Sequence, residues 1–230
     1  MSNHVKEQLS HGNCPLCRHS AAQLYHRDKF RDYYQCANCA LVFVPATFHL
    51  SPDAEKAYYD LHENSLEDAG YQRFLNRCAV PLIERLSPAS FGLDFGCGPA
   101  PLLAKLLQQA GHEVSTYDLY YRADAAALEK SYDFIVSTEV VEHLSSPDRV
   151  LAMLWRLLNP GGMLALMTKL VASPERFANW HYIRDPTHIV FFSRQTFCWL
   201  AAYFQAELEF VASDVIILRK PASALGVHLE

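Results

Sequence analysis

The sequence predicts an α/β domain built on a mostly parallel sheet closed by an antiparallel last strand, with a small metal-binding module at its N-terminus. Three observations carry this. Residues 90 to 220 alternate short apolar runs with helical patterns, the order that generates a parallel sheet. The last two runs, Leu208–Ala212 and Val215–Leu218, lie too close together for a helical crossover and so must pair antiparallel. Four of the seven cysteines fall within residues 1–50 as two Cys-x-x-Cys pairs.

The cysteine pairs come first in the chain. Cys14-Pro15-Leu16-Cys17 and Cys36-Ala37-Asn38-Cys39 are separated by 18 residues. Two thiolates three positions apart reach one ion from a tight knuckle, and two knuckles complete a tetrahedron. A segment of this size lacks the core to fold alone, so binding free energy becomes folding free energy. Four cysteine ligands leave no open coordination position, which points to a structural Zn2+. Chance spacing, a dithiol redox pair and a zinc site that has lost its metal are the competing readings. Cys78, Cys97 and Cys198 fall outside the pattern and are expected to be small buried hydrophobes.

Residues 51–89 read as a helical linker and cover. Leu75, Ala79, Leu82, Ile83 and Leu86 recur at helical spacing, and Pro88 closes the stretch. Residues 90–220 follow as the main domain. Phe91–Phe95 is a strand ending in glycines, and Leu102–Ala110 is a helix stopped by Gly111. Glu113–Tyr117 and Phe134–Ser137 are strands, and Arg149–Leu158 is a helix. Asn159-Pro160-Gly161-Gly162 has turn chemistry, Met163–Thr168 is a buried strand, and Ser193–Phe204 is a helix N-capped by Ser193.

Composition narrows the function classes. The net charge of -5, with signs interspersed, weighs against a chain built to grip nucleic acid. No apolar run reaches the roughly 18 residues of a membrane span, and Met1–His11 lacks the apolar core of a signal peptide. A cytoplasmic protein is expected, where thiols bind metal or pack in cores.

The run Leu93-Asp94-Phe95-Gly96-Cys97-Gly98-Pro99-Ala100 lies between a predicted strand and a predicted helix. Glycines one residue apart allow a sharp turn close to a ligand, and the following helix start offers free N–H groups. Pro101 stands where the dinucleotide pattern G-x-G-x-x-G needs its third glycine, which argues against a nicotinamide cofactor. The run resembles motif I of the class I, Rossmann-like S-adenosylmethionine-dependent methyltransferases, D-x-G-x-G-x-G, with Ala100 in the last glycine's place. Tyr132-Asp133-Phe134-Ile135-Val136, Glu139-Val140-Val141-Glu142-His143-Leu144 and Leu158-Asn159-Pro160-Gly161-Gly162 resemble further motifs of that family, in its order and spacing.

The resemblance implies S-adenosylmethionine as cofactor. Asp94, Gly96, Cys97 and Gly98 would form its loop, and Asp118, ending the second strand, would hold the ribose hydroxyls. Thr138 would lie at the cofactor edge. Only 14 residues separate Asp118 from Asp133, where the family fits a helix and a strand. Arg122-Ala123-Asp124 is expected to stand for that strand, with Asp124 approaching adenine.

Methyl transfer is an in-line displacement that aligns an acceptor and excludes water. The aromatic stretch Phe177, Trp180, His181, Tyr182 and Asp185–Ser193 resembles a "D-x-x-H-x-x-F-F-S" segment beside the active site of related small-molecule methyltransferases. His188 is a candidate general base and Tyr182 a second catalytic candidate. The competing role for His188 is to anchor the loop through the backbone. Glu142 and His143 are read as structural or cofactor-adjacent. The aromatics suggest a substrate lid, with Tyr58, Tyr59 and Tyr71 as another wall.

The expected function is methyl transfer to a small-molecule acceptor, such as a sugar or secondary-metabolite intermediate. Two alternatives stand beside it. One is an RNA methyltransferase whose zinc module grips RNA through Arg18, Arg27, Lys29 and Arg31. The other is a non-catalytic module that binds cofactor or a partner.

Overall fold

The computed structural model describes residues 12–61 and 68–222. The polar stretch Met1–His11 lies outside the described residues. In chain order the first strands are β1 (Ala22–Arg27), β2 (Asp32–Cys36) and β3 (Val42–Phe43), followed by helices α1 (Pro52–Tyr59) and α2 (Ala69–Ile83). Next come β4 (Phe91–Phe95), α3 (Leu102–Gln109), β5 (Glu113–Tyr117), β6 (Tyr132–Thr138), α4 (Pro147–Leu157) and β7 (Leu158–Met167). The chain closes with α5 (Pro174–Phe177), β8 (Val190–Phe191), α6 (Arg194–Phe204), β9 (Glu207–Phe210) and β10 (Val215–Arg219). No helix among the described residues is long and apolar enough to cross a membrane.

These elements form two compact units, each discontinuous in sequence. The larger comprises residues 63–140, 151–168 and 201–230. Its sheet has the order β5-β4-β6-β7-β10-β9. The pairs β5–β4, β4–β6 and β6–β7 are parallel, and β10 pairs antiparallel with both β7 and β9. The architecture is the Rossmann-like one the motif order implied. Its core gathers Leu75, Ala79 and Leu82 of α2, Leu103 and Leu107 of α3, and inward residues of the strands such as Phe134, Val136, Ala165 and Ile217. Asp68 starts α2 by accepting from the N–H groups of Gly70 and Tyr71 at 2.7 and 3.1 Å.

Two local expectations fail in this unit. Arg122-Ala123-Asp124 does not form a parallel strand. Asp118 and Arg122 exchange backbone hydrogen bonds of 3.0 Å each, folding the chain back on itself in a turn, and a short 3-10 helix, Ala125–Leu128, follows. The turn chemistry at Asn159–Gly162 also yields to pairing. These residues continue β7, with an irregular register opposite Tyr132–Phe134, and Asn159 donates to Asp133 Oδ1 at 2.9 Å.

The smaller unit comprises residues 1–62, 141–150 and 169–200. Its sheet, β1-β2-β3-β8, is antiparallel throughout, and its last strand comes from the aromatic stretch more than a hundred residues downstream. Tyr33, Val42, Val44, Phe177, Tyr182, Ile183, Ile189 and Phe191 form its core. Phe177, Tyr182, Phe191 and Phe192 are therefore buried packing residues, which corrects the expectation of an aromatic lid. Cys198 is exposed on α6, because Thr196, Phe197 and Leu200 take that helix's buried face; Cys78 and Cys97 are buried as expected.

Candidate functional site

In the larger unit, four parallel strands end on one edge of the sheet. The chain leaves β4 toward β5 on one side and returns to β6 on the other, so a crevice opens at the carboxyl ends of β4 and β6. Gly96 and Gly98 follow β4 with φ of 78° and 64°, the left-handed region that side chains resist. At Gly96 a Cβ would lie 2.3 Å from Val140 Cγ2, so that position also lacks room. At Gly98 a Cβ would meet nothing within 4 Å, so the backbone there faces open space.

Asp118 directly follows β5 and ties the turn in place. Its Oδ2 accepts from Gly98 N–H at 2.9 Å, while Oδ1 accepts from the N–H groups of Tyr120 and Tyr121 at 2.9 and 3.1 Å. Asp94 sits beneath, 2 % exposed, with Oδ2 accepting from Ala104 N–H in the first turn of α3 at 3.2 Å. Burial, with the charge of Asp118 adding to it, pushes its carboxyl up to about 7. The Cys97 thiol is pushed up to about 12 by burial and by both aspartates, which suits packing rather than nucleophilic chemistry. Tyr71 of α2 is pushed up to about 12 by burial and the nearby charges of Asp94, Cys97 and Glu139.

Thr138 is half-buried at the end of β6, opposite Met167. Directly after it, Glu139 has a φ of 52°, a strained conformation for a residue with a side chain, and its N–H donates to Met167 O at 2.8 Å. Sequence alone offers no sign of that kink. Asp124 is exposed and caps the short 3-10 helix by accepting from Ala126 N–H at 3.1 Å, so it stands apart from the glycine turn's hydrogen bonds.

The smaller unit holds two clusters. The sulfurs of Cys14, Cys17, Cys36 and Cys39 all lie within 4.8 Å of one another, with Cys14–Cys39 at 3.6 Å and Cys17–Cys36 at 3.4 Å. A tetrahedral zinc with Zn–S of about 2.3 Å has S···S edges of about 3.8 Å, so the four thiols fit that ion. The knuckles are built alike. Arg18 and Ala40, each following the second cysteine of its pair, have φ of 60° and 58° and donate backbone N–H to the first cysteine's carbonyl at 3.0 Å.

The second cluster brings together Glu142, His143 and His188, whose ligating atoms also lie within 4.8 Å of one another. Glu142 is fully buried and His188 is 7 % exposed. His188 Nδ1 bonds to Tyr182 O at 2.8 Å, and His143 Nδ1 to Thr187 O at 3.1 Å. A carbonyl only accepts, so both rings carry their proton on Nδ1 when neutral and present a lone pair at Nε2. Burial holds the His188 pKa below the usual imidazole value, against the opposing pull of Asp185. The Tyr182 hydroxyl donates to Glu142 Oε1, and its ring centroid lies 4.1 Å from that of His188. His181, by contrast, is exposed and pairs with Lys169 at 2.8 Å.

The sequence pairs Glu142 with His143 but gives no sign that His188 converges on them. Nor does it reveal the residue that shapes the loop. Arg31, 7 % exposed, donates to the carbonyls of Ile183, Asp185, Pro186 and His188 at 2.6–3.0 Å and to the Tyr33 hydroxyl at 3.2 Å. A lone arginine carries no motif, so nothing in the sequence marks it.

Against known proteins, a family model for the methyltransferase domain matches residues 68–209. A curated malonyl-[acyl-carrier protein] O-methyltransferase from Enterobacter lignolyticus (strain SCF1) is 30% identical over 134 residues, covering 49% of this chain and 53% of the relative. The chain thus spans about half the length of that relative. Among solved structures, a candidate S-adenosyl-L-methionine-dependent methyltransferase from Methanococcus maripaludis aligns with a TM-score of 0.51 at 14% identity, covering 77% of this chain and 96% of that one. At that identity the likeness is one of fold.

Proposed function

The chain belongs to the methyltransferase domain family, and on that premise we propose that it transfers a methyl group from S-adenosylmethionine to a small-molecule acceptor. The observation that carries this reading is the left-handed Gly96–Gly98 turn at the carboxyl edge of the parallel sheet, bonded to the carboxylate of Asp118. When bound, S-adenosylmethionine supplies an electrophilic methyl group on a sulfonium. Gly98 leaves open space for a ligand against the backbone. Asp118 would take a ribose hydroxyl, since two carboxylate oxygens offer about four lone pairs and three backbone N–H groups use three, leaving one. Asp94 and Cys97 support the turn from below, and Thr138 would line the edge beside it.

His188 is the proton acceptor in this proposal. Its Nδ1–H is fixed on Tyr182 O, so Nε2 is the free basic atom. Tyr182 orients Glu142 through its hydroxyl and packs on the His188 ring, which makes it a positioning group. We further propose that the four clustered cysteines hold a structural Zn2+, a site suited to a reducing compartment such as the cytoplasm.

Calorimetry with S-adenosylmethionine and S-adenosylhomocysteine tests the core of the proposal. Tight binding by the intact chain, weakened at least about tenfold in Asp118→Ala, is expected; binding of neither compound overturns it. S-adenosylhomocysteine release over a panel of hydroxylated and carboxylated acceptors then identifies the substrate class. The RNA reading gains nothing from its four cations. Arg18 pairs with Asp148, Arg27 with Asp32, and Arg31 is buried on carbonyls, while Lys29 lies over Phe30. RNA binding with a steep salt dependence would revive that reading.

A further inference from the structure

We propose that Glu142, His143 and His188 form a second metal site, distinct from the four cysteines, that takes a divalent transition-metal ion. The donor set is two imidazoles and one carboxylate, converging within 4.8 Å. Neutral imidazole with one carboxylate suits Zn2+, Fe2+, Co2+ and Mn2+, and three protein ligands leave positions open for a water or substrate oxygen.

The surroundings are those a metal ligand needs. Ligating histidines donate their other ring N–H to a carbonyl or carboxylate, which fixes tautomer and ring direction. Both histidines do this, His143 to Thr187 O at 3.1 Å and His188 to Tyr182 O at 2.8 Å. The carboxylate is itself oriented by the Tyr182 hydroxyl. The two ring centroids lie 4.7 Å apart at 65°, an edge-on arrangement rather than a stack.

The two segments that carry the ligands are locked together by backbone. Ile189 N–H donates to Glu142 O at 2.9 Å, and Val44 N–H donates to Ile189 O at 2.8 Å. Arg31 clamps four carbonyls between Ile183 and His188, so the loop is held before any ion arrives. Such preorganisation matches a site whose ligands must not wander.

The inference deepens the methyl-transfer reading by reassigning one atom. His188 Nε2 would hold the ion in place of accepting a proton, and a water at an open position would have its pKa lowered by the ion. The ion and the proton compete for one lone pair, so the two roles separate experimentally.

Mn2+ is the probe, because thiolates bind it poorly and the cysteine cluster does not mask the result. Calorimetry and electron paramagnetic resonance of the full chain should show one Mn2+ bound per chain. His143→Asn, His188→Asn and Glu142→Gln should each weaken it at least about tenfold, and Tyr182→Phe should do so by about tenfold through the loss of carboxylate orientation. The exposed Cys198→Ser should leave binding unchanged. Where a variant fails to fold, histidine-labelled wild-type chain decides: Mn2+ should broaden the His143 and His188 ring signals and spare His19. No Mn2+ binding, binding unaltered in the ligand variants, or broadening centred elsewhere would overturn the site. Because S-adenosylmethionine binding is read separately through Asp118, loss of one claim leaves the other standing.

Discussion

The two compact units are held together by different physics. The larger unit is a periodic structure: a six-stranded sheet whose inward faces and covering helices bury leucine, valine and phenylalanine in one core. The smaller has a four-stranded sheet with two strands of only two residues. Beside its own small core it has point fasteners: a buried arginine on four carbonyls and, with the proposed ions bound, the four-sulfur and Glu–His–His clusters. Hydrophobic burial is spread over many contacts and degrades gradually, whereas a fastener acts at one place and fails all at once.

The largest expected effect follows. If the cysteines hold the proposed zinc, stripping it, or Cys14→Ser with Cys36→Ser, should abolish hydrogen-exchange protection in β1 and β2. Structural zinc in small modules contributes on the order of 10 kcal/mol of apparent binding free energy. Protection in β4, β6 and β7 should survive, and a loss there as large as in β1 would erase the contrast between the units. Arg31→Met comes next. Removing a buried guanidinium that satisfies four carbonyls should destabilise the smaller unit by about 3–5 kcal/mol in urea unfolding. Arg31→Lys should not restore it, because an ammonium cannot span the same fork.

In the larger unit the sharpest comparison lies between neighbouring glycines. Gly96→Ala meets both a left-handed φ and Val140, and should cost about 2–4 kcal/mol in thermal melts. Gly98→Ala meets only the unfavourable φ and should cost about 1–2 kcal/mol. Equal losses would show that the Val140 contact relaxes freely.

The last effect is a pH dependence from Asp94, comparable over its whole window to the Arg31 loss. Its folded-state pKa is raised to about 7 from an ordinary 3.8, so the folded chain holds this proton more tightly than the unfolded chain. The contribution of this group to stability is full below about pH 4 and is lost as pH rises to about 7, at up to about 1.4 kcal/mol per pH unit. Asp94→Asn should flatten the profile over that window, and an unchanged profile would mean that the carboxyl is charged when folded.

Legibility tracked the same divide. Alternating strand and helix patterns, the closing antiparallel pair, the glycine turn and the acidic end of β5 were all readable, because each is set by neighbours within a few residues. The expected strand at Arg122–Asp124 was not, since a local turn that closes on Asp118 outcompetes pairing over so short a span. In the smaller unit the spacing of the cysteines was plain, yet the fourth strand of their sheet was not. β8 joins β3 from across the chain, and two residues carry too little pattern to announce a strand.

From its residues alone, this chain declared its fold class, its glycine-hinged loop and a set of thiols spaced for one ion, because short-range periodicity and spacing encode these directly. The meeting of Glu142, His143 and His188, the burial of Arg31 among carbonyls and the packing of the aromatic stretch into a core were decided by tertiary folding. Each needs segments separated by many residues to arrive at one point with matched donors and acceptors, a condition that no local pattern contains.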